Sequence, residues 1–271
     1  MKTAIWTSYH YELSPEQAIY ELSKSGIHYT ELSDEHAVVL LERGDPKKVG
    51  EEFKKYADQM GVKIPQGHLY LGVKLVMDDV AVEVLKKWID LFRAIGIKRG
   101  VLHCDPMKGV DIPYKQKLLK NVEKLKELAD YIAGTDFIIC LENLYSIVPS
   151  IDDLLYVIKK VGGRNFGVCL DTGHLNLVGG NQREFILKAN RKLKALHIAD
   201  NEGAVDQHMM PFGKGTVNMK EVFKALQEIG YNGIYNLEIG GERRCPLEIR
   251  KFKAQYIKKS MEYLDRVVAE E

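Results

Sequence analysis

Residues able to bind metals or move protons recur at one kind of place in this chain. His68 follows KIPQG, His103 ends GVLH, Glu142 ends FIICLE, Asp171 ends FGVCLD, His197 ends LKALH and Glu238 ends IYNLE. Each phrase is a short apolar run, so each residue stands at or near the C-terminal end of a predicted strand. Three more, His174, Asp206 and His208, lie in the loops just beyond. Taken singly, a buried histidine is more often a hydrogen-bonded core residue, and a carboxylate at a strand end often caps the next helix. Taken as a set, they would leave many carboxylates and imidazoles buried on one face without partners. A divalent cation supplies that partner. Carboxylates and imidazoles with no clustered thiolate suit Zn, Mn, Co or Fe(II), and suit Mg less because Mg makes little use of imidazole.

The elements that must position these groups repeat. Eight apolar runs read as strands: TAIWTS, IHYTEL, VKIPQGHL, GVLHC, FIICLEN, FGVCLD, LKALHIA and IYNLEI. Longer amphipathic stretches lie between them. AVEVLKKWIDLFRAIG carries Val82, Leu85, Trp88, Ile89 and Phe92 at helical spacing, and YKQKLLKNVEKLKELADYIAG carries Leu118, Val122, Leu125 and Leu128. Gly134 suits the C-terminus of the second. Ser14-Pro15-Glu16 and Ser150 followed by Asp152 and Asp153 read as helix starts. Eight strand–helix units without a linker or a composition shift predict a single (β/α)8 TIM barrel over residues 1–271, an α/β fold. A doubly wound sheet is the alternative, weakened by the lack of G-x-G-x-x-G after the first strand. In a barrel the strand ends converge on one face, where active sites of this fold lie.

Composition narrows the function classes. The 271 residues are 45% hydrophobic and 28% charged, with 39 basic and 38 acidic residues and a formal net charge of +1. Such balance gives no electrostatic reason to expect a nucleic-acid partner. MKTAIWTSYHY has no signal-peptide pattern, and no run has the apolar length to span a bilayer. The cysteines 104, 140, 169 and 245 show no C-x-x-C spacing, and Cys140 and Cys169 read as small buried hydrophobes. A cytoplasmic protein is the plain expectation. Cys104 follows His103, and strand alternation predicts that it points away from the barrel interior.

The phrases ELSDEH, GHLYLG, CLEN, GVCLDTGHLNL, HIADNEGAVDQHMMPFGKG and NLEIGG, in this order, resemble the xylose isomerase-like barrel superfamily over essentially the whole chain. That superfamily holds sugar and sugar phosphate isomerases and epimerases and also nucleases of the endonuclease IV type. The resemblance to its ketose epimerases implies one metal held by Glu142, Asp171, His197 and Glu238. It implies that Glu142 and Glu238 are also catalytic, as acid and base on opposite faces of the substrate, and that His174 binds substrate. The implied chemistry is proton abstraction beside a metal-polarised carbonyl, through an enediolate. One departure stands out: the arginine those epimerases place past the metal-binding histidine has no counterpart near Gly203.

The nucleases offer a competing match, a tri-zinc phosphodiesterase acting on abasic DNA. His68, His103 and Glu142 match its first zinc site, Glu142, Asp171, His197 and Glu238 its second, and His174, Asp206 and His208 its third. The resemblance therefore allows one to three metals per chain. Balanced charge favours a small-molecule sugar over nucleic acid. A metal-binding barrel without catalysis is a third reading, opposed by the intact ligand set. Barrels of this kind often form homo-oligomers. Lys108, Lys214, Arg243 and Arg244 lie just beyond strand ends and are candidates for gripping an anionic group, or else solvated loop charges. Trp6 and Tyr9 are candidates for packing on a sugar face, with the barrel core as the alternative for Trp6. His10, His28 and His36 lie outside the pattern and read as exposed or hydrogen-bonded, and the basic face of the last helix reads as solvated.

Overall fold

The computed structural model describes residues 1–271 except 163, 164, 242 and 271. Eight parallel strands run through it: β1 (Thr3–Ile5), β2 (Tyr29–Leu32), β3 (Lys63–His68), β4 (Arg99–Leu102), β5 (Ile138–Glu142), β6 (Phe166–Asp171), β7 (Leu193–His197) and β8 (Tyr235–Leu237). Their order is β7-β6-β5-β4-β3-β2-β1-β8. The remaining gap closes where Ile198 bridges Leu237 in parallel and donates its N–H to Asn236 O at 2.7 Å. This is a (β/α)8 TIM barrel, as the alternating runs predicted. Its helices are α1 (Pro15–Lys24), α2 (Asp34–Leu41), α3 (Pro46–Gln59), α4 (Ala81–Ile95), α5 (Tyr114–Tyr131), α6 (Ile151–Val161), α7 (Thr172–Leu177), α8 (Gln182–Ala189), α9 (Met219–Glu228) and α10 (Leu247–Ala269).

The helix starts follow their side-chain chemistry. Ser14 and Gln17 form a reciprocal capping box at α1, with Pro15 at the first helical position. Ser150 accepts the Asp153 N–H at 3.2 Å and starts α6. On α4, Val82, Leu85, Trp88, Ile89 and Phe92 are all buried, as their spacing requires. α5 stops at Tyr131, and Gly134 takes φ +76° in the turn two residues past the cap. Two helices were not expected. α2 follows β2 directly, capped by Ser33, and α7 follows β6 directly because Asp171 Oδ1 accepts the His174 N–H at 2.6 Å. A short capped segment forms a helix when tertiary packing supports it, even where its own periodicity is too brief to read.

Two apolar layers hold the barrel. The larger joins strands to helices and includes Leu32, Phe92, Phe137, Phe166 and Phe223. The smaller is Val101, Cys140, Cys169 and Ala195. Cys140, Cys169 and Ala195 lie two residues before Glu142, Asp171 and His197, so pleating turns them to the same inner side. They form the apolar floor beneath those polar side chains. The two cysteines are therefore small buried hydrophobes, and burial pushes the Cys140 thiol up to about 12.

Candidate metal centre

Register brings the ligand-type residues together. Asp171 pairs with His197 across β6 and β7, and Glu142 ends the neighbouring β5. Asn143 fastens β5 to β6 at this level: its Oδ1 accepts the Asp171 N–H at 2.8 Å and its Nδ2 donates to Asp171 O at 3.0 Å. Glu238 follows β8, and its N–H donates to Ile198 O at 3.2 Å. One ligand-type atom from each of Glu142, Asp171, His197 and Glu238 falls within 4.8 Å of the others, and all four residues are buried. His197 Nδ1 lies 2.9 Å from Glu238 Oε2 and 3.2 Å from Glu142 Oε2.

Two further clusters share this face. His68, Glu142 and His197 form one, with His68 Nε2 3.4 Å from Glu142 Oε2. His103, half-buried, reaches the same oxygen at 3.1 Å. His174, Asp206 and His208 form the other: His174 Nε2 lies 3.1 Å from Asp206 Oδ2, and His208 Nε2 lies 3.3 Å from Asp206 Oδ1. His174 Nδ1 also stands 3.0 Å from Glu142 Oε1. All nine ligand-type residues singled out by sequence thus meet at one barrel mouth.

A cation fits the first cluster on its own atoms. Glu142 Oε1, Asp171 Oδ2, His197 Nδ1 and Glu238 Oε2 are buried and have no hydrogen bond of acceptable geometry, although some lie near each other. Four orphaned acceptor-type atoms, one from each residue of a converging set, are what a divalent ion satisfies. The electrostatics agree. Burial opposes charge on His68 and His174, yet the carboxylates around them outweigh it and raise these imidazoles to about 9 and about 12. Burial, with Glu142 and Glu238 nearby, raises Asp171 to about 7. The carboxylates around His68 and His174 thus favour positive charge there, whereas burial lowers His103, and a metal ion would supply that positive charge instead.

A cavity of about 720 Å³ opens onto these groups. Trp6, Leu71, Val73, Met77, Leu144 and Tyr145 supply apolar wall, and Glu142, His174, Asp206, His208 and Glu238 the polar floor. Trp6 is held by donation from Nε1 to Ile239 O at 2.8 Å, whereas Tyr9 is buried outside the lining. Cys104 contributes to the lining despite the expectation from alternation, because β4 ends at Leu102 and the pleat no longer governs it. Burial pushes its thiol up to about 12, and Cys104 belongs to none of the converging ligand-type groups among the described residues. A depression of about 610 Å³ lies at the opposite end, beside Thr3 and Tyr29 where β1 and β2 begin. No ligand-type trio converges there among the described residues.

Of the candidate anion-binding side chains, Lys108 lines the cavity. Lys214, Arg243 and Arg244 are exposed and outside the lining, and the Arg243 guanidinium lies over the Tyr11 ring at 4.2 Å. His10 and His36 are buried with hydrogen-bonding partners, and exposed His28 contacts Gly61 O. Sequence reading missed Lys74 at the cavity wall, buried Asp105 beside it, and Glu31 beneath His197. Glu31 had a usable signal: it stands at the C-terminal end of the second strand, the same place as the residues chosen on later strands.

The description "xylose isomerase-like TIM barrel" matches residues 19–267. The chain belongs to that family. Within reach of this family's sequences, an uncharacterized protein of Methanocaldococcus jannaschii is 32% identical over 127 residues, covering 44% of this chain and 42% of that protein. The L-ribulose 3-epimerase of Methylomonas sp. (strain DH-1) is 28% identical over 188 residues, 64% of each chain. The chain spans about half the length of the first curated relatives it matches. A D-tagatose 3-epimerase-like protein of known structure superposes with a TM-score of 0.82 at 21% identity, over 100% of this chain and 99% of that one, a likeness of fold. No helix among the described residues is long and apolar enough to cross a membrane.

Proposed function

We propose that this xylose isomerase-like barrel is a divalent-metal-dependent epimerase or isomerase of ketoses or ketose phosphates. The observation that carries the reading is the convergence of four buried, unpartnered ligand atoms from Glu142, Asp171, His197 and Glu238 at the floor of an open cavity. Relatives named as ketose 3-epimerases support it. Zn, Mn or Co suits this mixed oxygen and imidazole set, and when bound it polarises a sugar carbonyl and acidifies the adjacent C–H.

The chain's own residues supply the rest. Glu142 ends β5 and Glu238 follows β8, with β6 and β7 between those strands, which supports their reaching a bound sugar from different sides. One removes the proton next to the carbonyl to leave an enediolate, and the other returns a proton to the opposite face, inverting that carbon. His174, fixed between Glu142 and Asp206, presents its ring at the floor to hold a sugar hydroxyl. Trp6 offers an apolar face to the sugar carbons. Protein purified without a chelating column and loaded with Mn or Co is incubated with a panel of ketoses and ketose phosphates in D2O. Epimerised product carrying deuterium at the inverted carbon is expected. No turnover and no deuterium in any member refutes the reading.

A second reading, a tri-zinc phosphodiesterase on abasic DNA, rests on the two additional clusters His68–Glu142–His197 and His174–Asp206–His208. Against it, Lys74 and Lys108 are the only Lys or Arg side chains lining the cavity among the described residues, few for a phosphate backbone. Three tightly held zinc ions per chain together with nicking of abasic-site DNA would favour it.

A further inference from the structure

We propose that Glu31 is the positioning residue of the metal centre, selecting which nitrogen of His197 faces the cavity; this rests on the metal-dependent reading above. Glu31 stands on β2 and is fully buried. Its side chain crosses the barrel interior to β7, where its two oxygens lie 3.0 and 3.1 Å from His197 Nε2. Gln66 Nε2 donates to Oε2 at 2.6 Å, and Asn236 Nδ2 donates to it at 2.5 Å. Both amides aim their NH2 groups at Glu31 and leave their own oxygens, Gln66 Oε1 and Asn236 Oδ1, buried without partners. Three donors thus converge on a single carboxylate from β3, β7 and β8.

This arrangement leaves one role for each edge of the His197 ring. A carboxylate between amide donors is an acceptor, so Nε2 must carry the N–H that it accepts. The opposite nitrogen, Nδ1, is then the lone-pair side, and it is turned toward Glu142 and Glu238 as one of the orphaned atoms. A ring flip would carry Nε2 away from Glu31 and break that bond. Carboxylates behind metal-binding imidazoles generally fix the tautomer and ring angle in this way. A merely structural network would need Glu31 to bind Gln66 and Asn236 only, and would leave the metal-facing edge of His197 unaffected.

The test uses the full chain with Co(II) alone and Zn(II) alone as probes. In Zn(II)-loaded wild type labelled with 15N-histidine, long-range 1H–15N correlation is expected to show His197 protonated at Nε2 and unprotonated at Nδ1. The reverse pattern overturns the proposal without requiring any variant to fold. In parallel, Co(II) is titrated into wild type and Glu31→Gln, following affinity and the visible ligand-field bands. The variant is expected to bind roughly 10- to 100-fold more weakly, with shifted bands, and Glu31→Asp to recover part of the affinity. Wild-type binding with an E31Q variant of equal affinity and identical bands overturns the positioning role and leaves the metal centre standing. No Co(II) binding by wild type overturns both.

Discussion

Asp105 offers a stringent test of how the cavity is built. It is buried, and its carboxylate ties together the two loops that follow β3 and β4. Oδ2 accepts the N–H groups of Val76 and Met77, each at 3.0 Å, and Oδ1 accepts that of Met107 at 2.7 Å. Asn121 on α5 holds Asp105 in turn, exchanging bonds of 2.7 and 3.0 Å with its backbone. The first loop carries Leu71, Val73, Lys74 and Met77 into the cavity wall, and the second carries Pro106 and Lys108. Hydrogen bonds to a charged acceptor contribute about 1.5–3 kcal/mol each. Replacing Asp105 with Ala removes three, but the loops border an open cavity and the freed amides regain water, so the lower figure applies. The expected local loss is about 4.5 kcal/mol, against about 1.4 kcal/mol per tenfold in an opening equilibrium. Amide exchange at Val76, Met77 and Met107 should therefore accelerate by roughly 10³ in Asp105→Ala. Amides in β5 and β6 should keep their protection, because the barrel strands do not depend on this clamp. Asp105→Asn keeps a single acceptor oxygen and should fall between. Wild-type exchange at all three amides in the Ala variant would refute the clamp.

Four other outcomes are expected. Zn or Mn at a hundredfold excess over its dissociation constant should stabilise the fold by about 2.7 kcal/mol, raising Tm by roughly 5–10 °C reversibly with chelator; an unchanged melting curve would remove the metal centre. Glu142→Gln and Glu238→Gln should each lower kcat for ketose epimerisation by about 10²- to 10⁴-fold while circular dichroism stays native, and near-wild-type rates in either would take that residue out of the proton transfers. His10, whose pKa burial and then Arg250 lower to about 4, binds its proton more readily in the unfolded chain, so its contribution to stability is present above pH 6.5 and is lost as pH falls toward 4. That contribution is at most about 3 kcal/mol, and His10→Gln should flatten the acid limb of urea midpoints measured between those pH values; an unaltered limb would contradict it. Gly241→Ala should destabilise the loop after β8, since a Cβ there would stand 1.8 Å from Tyr9 O; a full-length urea midpoint equal to wild type would show that the loop can yield.

What was legible in the sequence follows from which signals are local. Strand-end chemistry on β3 to β8 could be read because parallel strands in a barrel all finish on one face, so position along the chain becomes position in space. The apolar stripe of α4 could be read for the same reason, since spacing sets the buried face. Glu31 obeys the strand-end rule too, but it opens the acidic stretch ELSDEH, and no metal-ligand or catalytic match fell on it. Its partners Gln66, Asn236 and His197 come from three other strands, and no local pattern encodes that meeting. The basic residues show the opposite failure. A lysine or arginine past a strand end has a long flexible side chain, so its direction is settled by neighbours: Tyr11 captures Arg243, while unremarked Lys74 is brought to the cavity by its loop.

The number of metal ions and the type of chemistry are coupled through one residue. Glu142 has two oxygens, and both are in demand. Oε2 lies 3.1 Å from His103, 3.2 Å from His197 and 3.4 Å from His68, while Oε1 faces His174 at 3.0 Å. In a centre built on Glu142, Asp171, His197 and Glu238 alone, a single ligand atom is needed from Glu142, and its other oxygen is left to exchange a proton with substrate. If the histidine clusters on either side were also filled, both oxygens would serve as ligands, and a carboxylate so committed is a poor base. Acid–base epimerisation and multi-ion phosphodiester chemistry thus make incompatible demands on the same side chain. Metal stoichiometry measured alongside deuterium incorporation should therefore move together: about one ion per chain with solvent deuterium in the product, or about three ions with none. Three tightly bound ions accompanied by rapid deuterium incorporation would show that Glu142 is not the proton-transfer group, leaving Glu238 and another base to do that work.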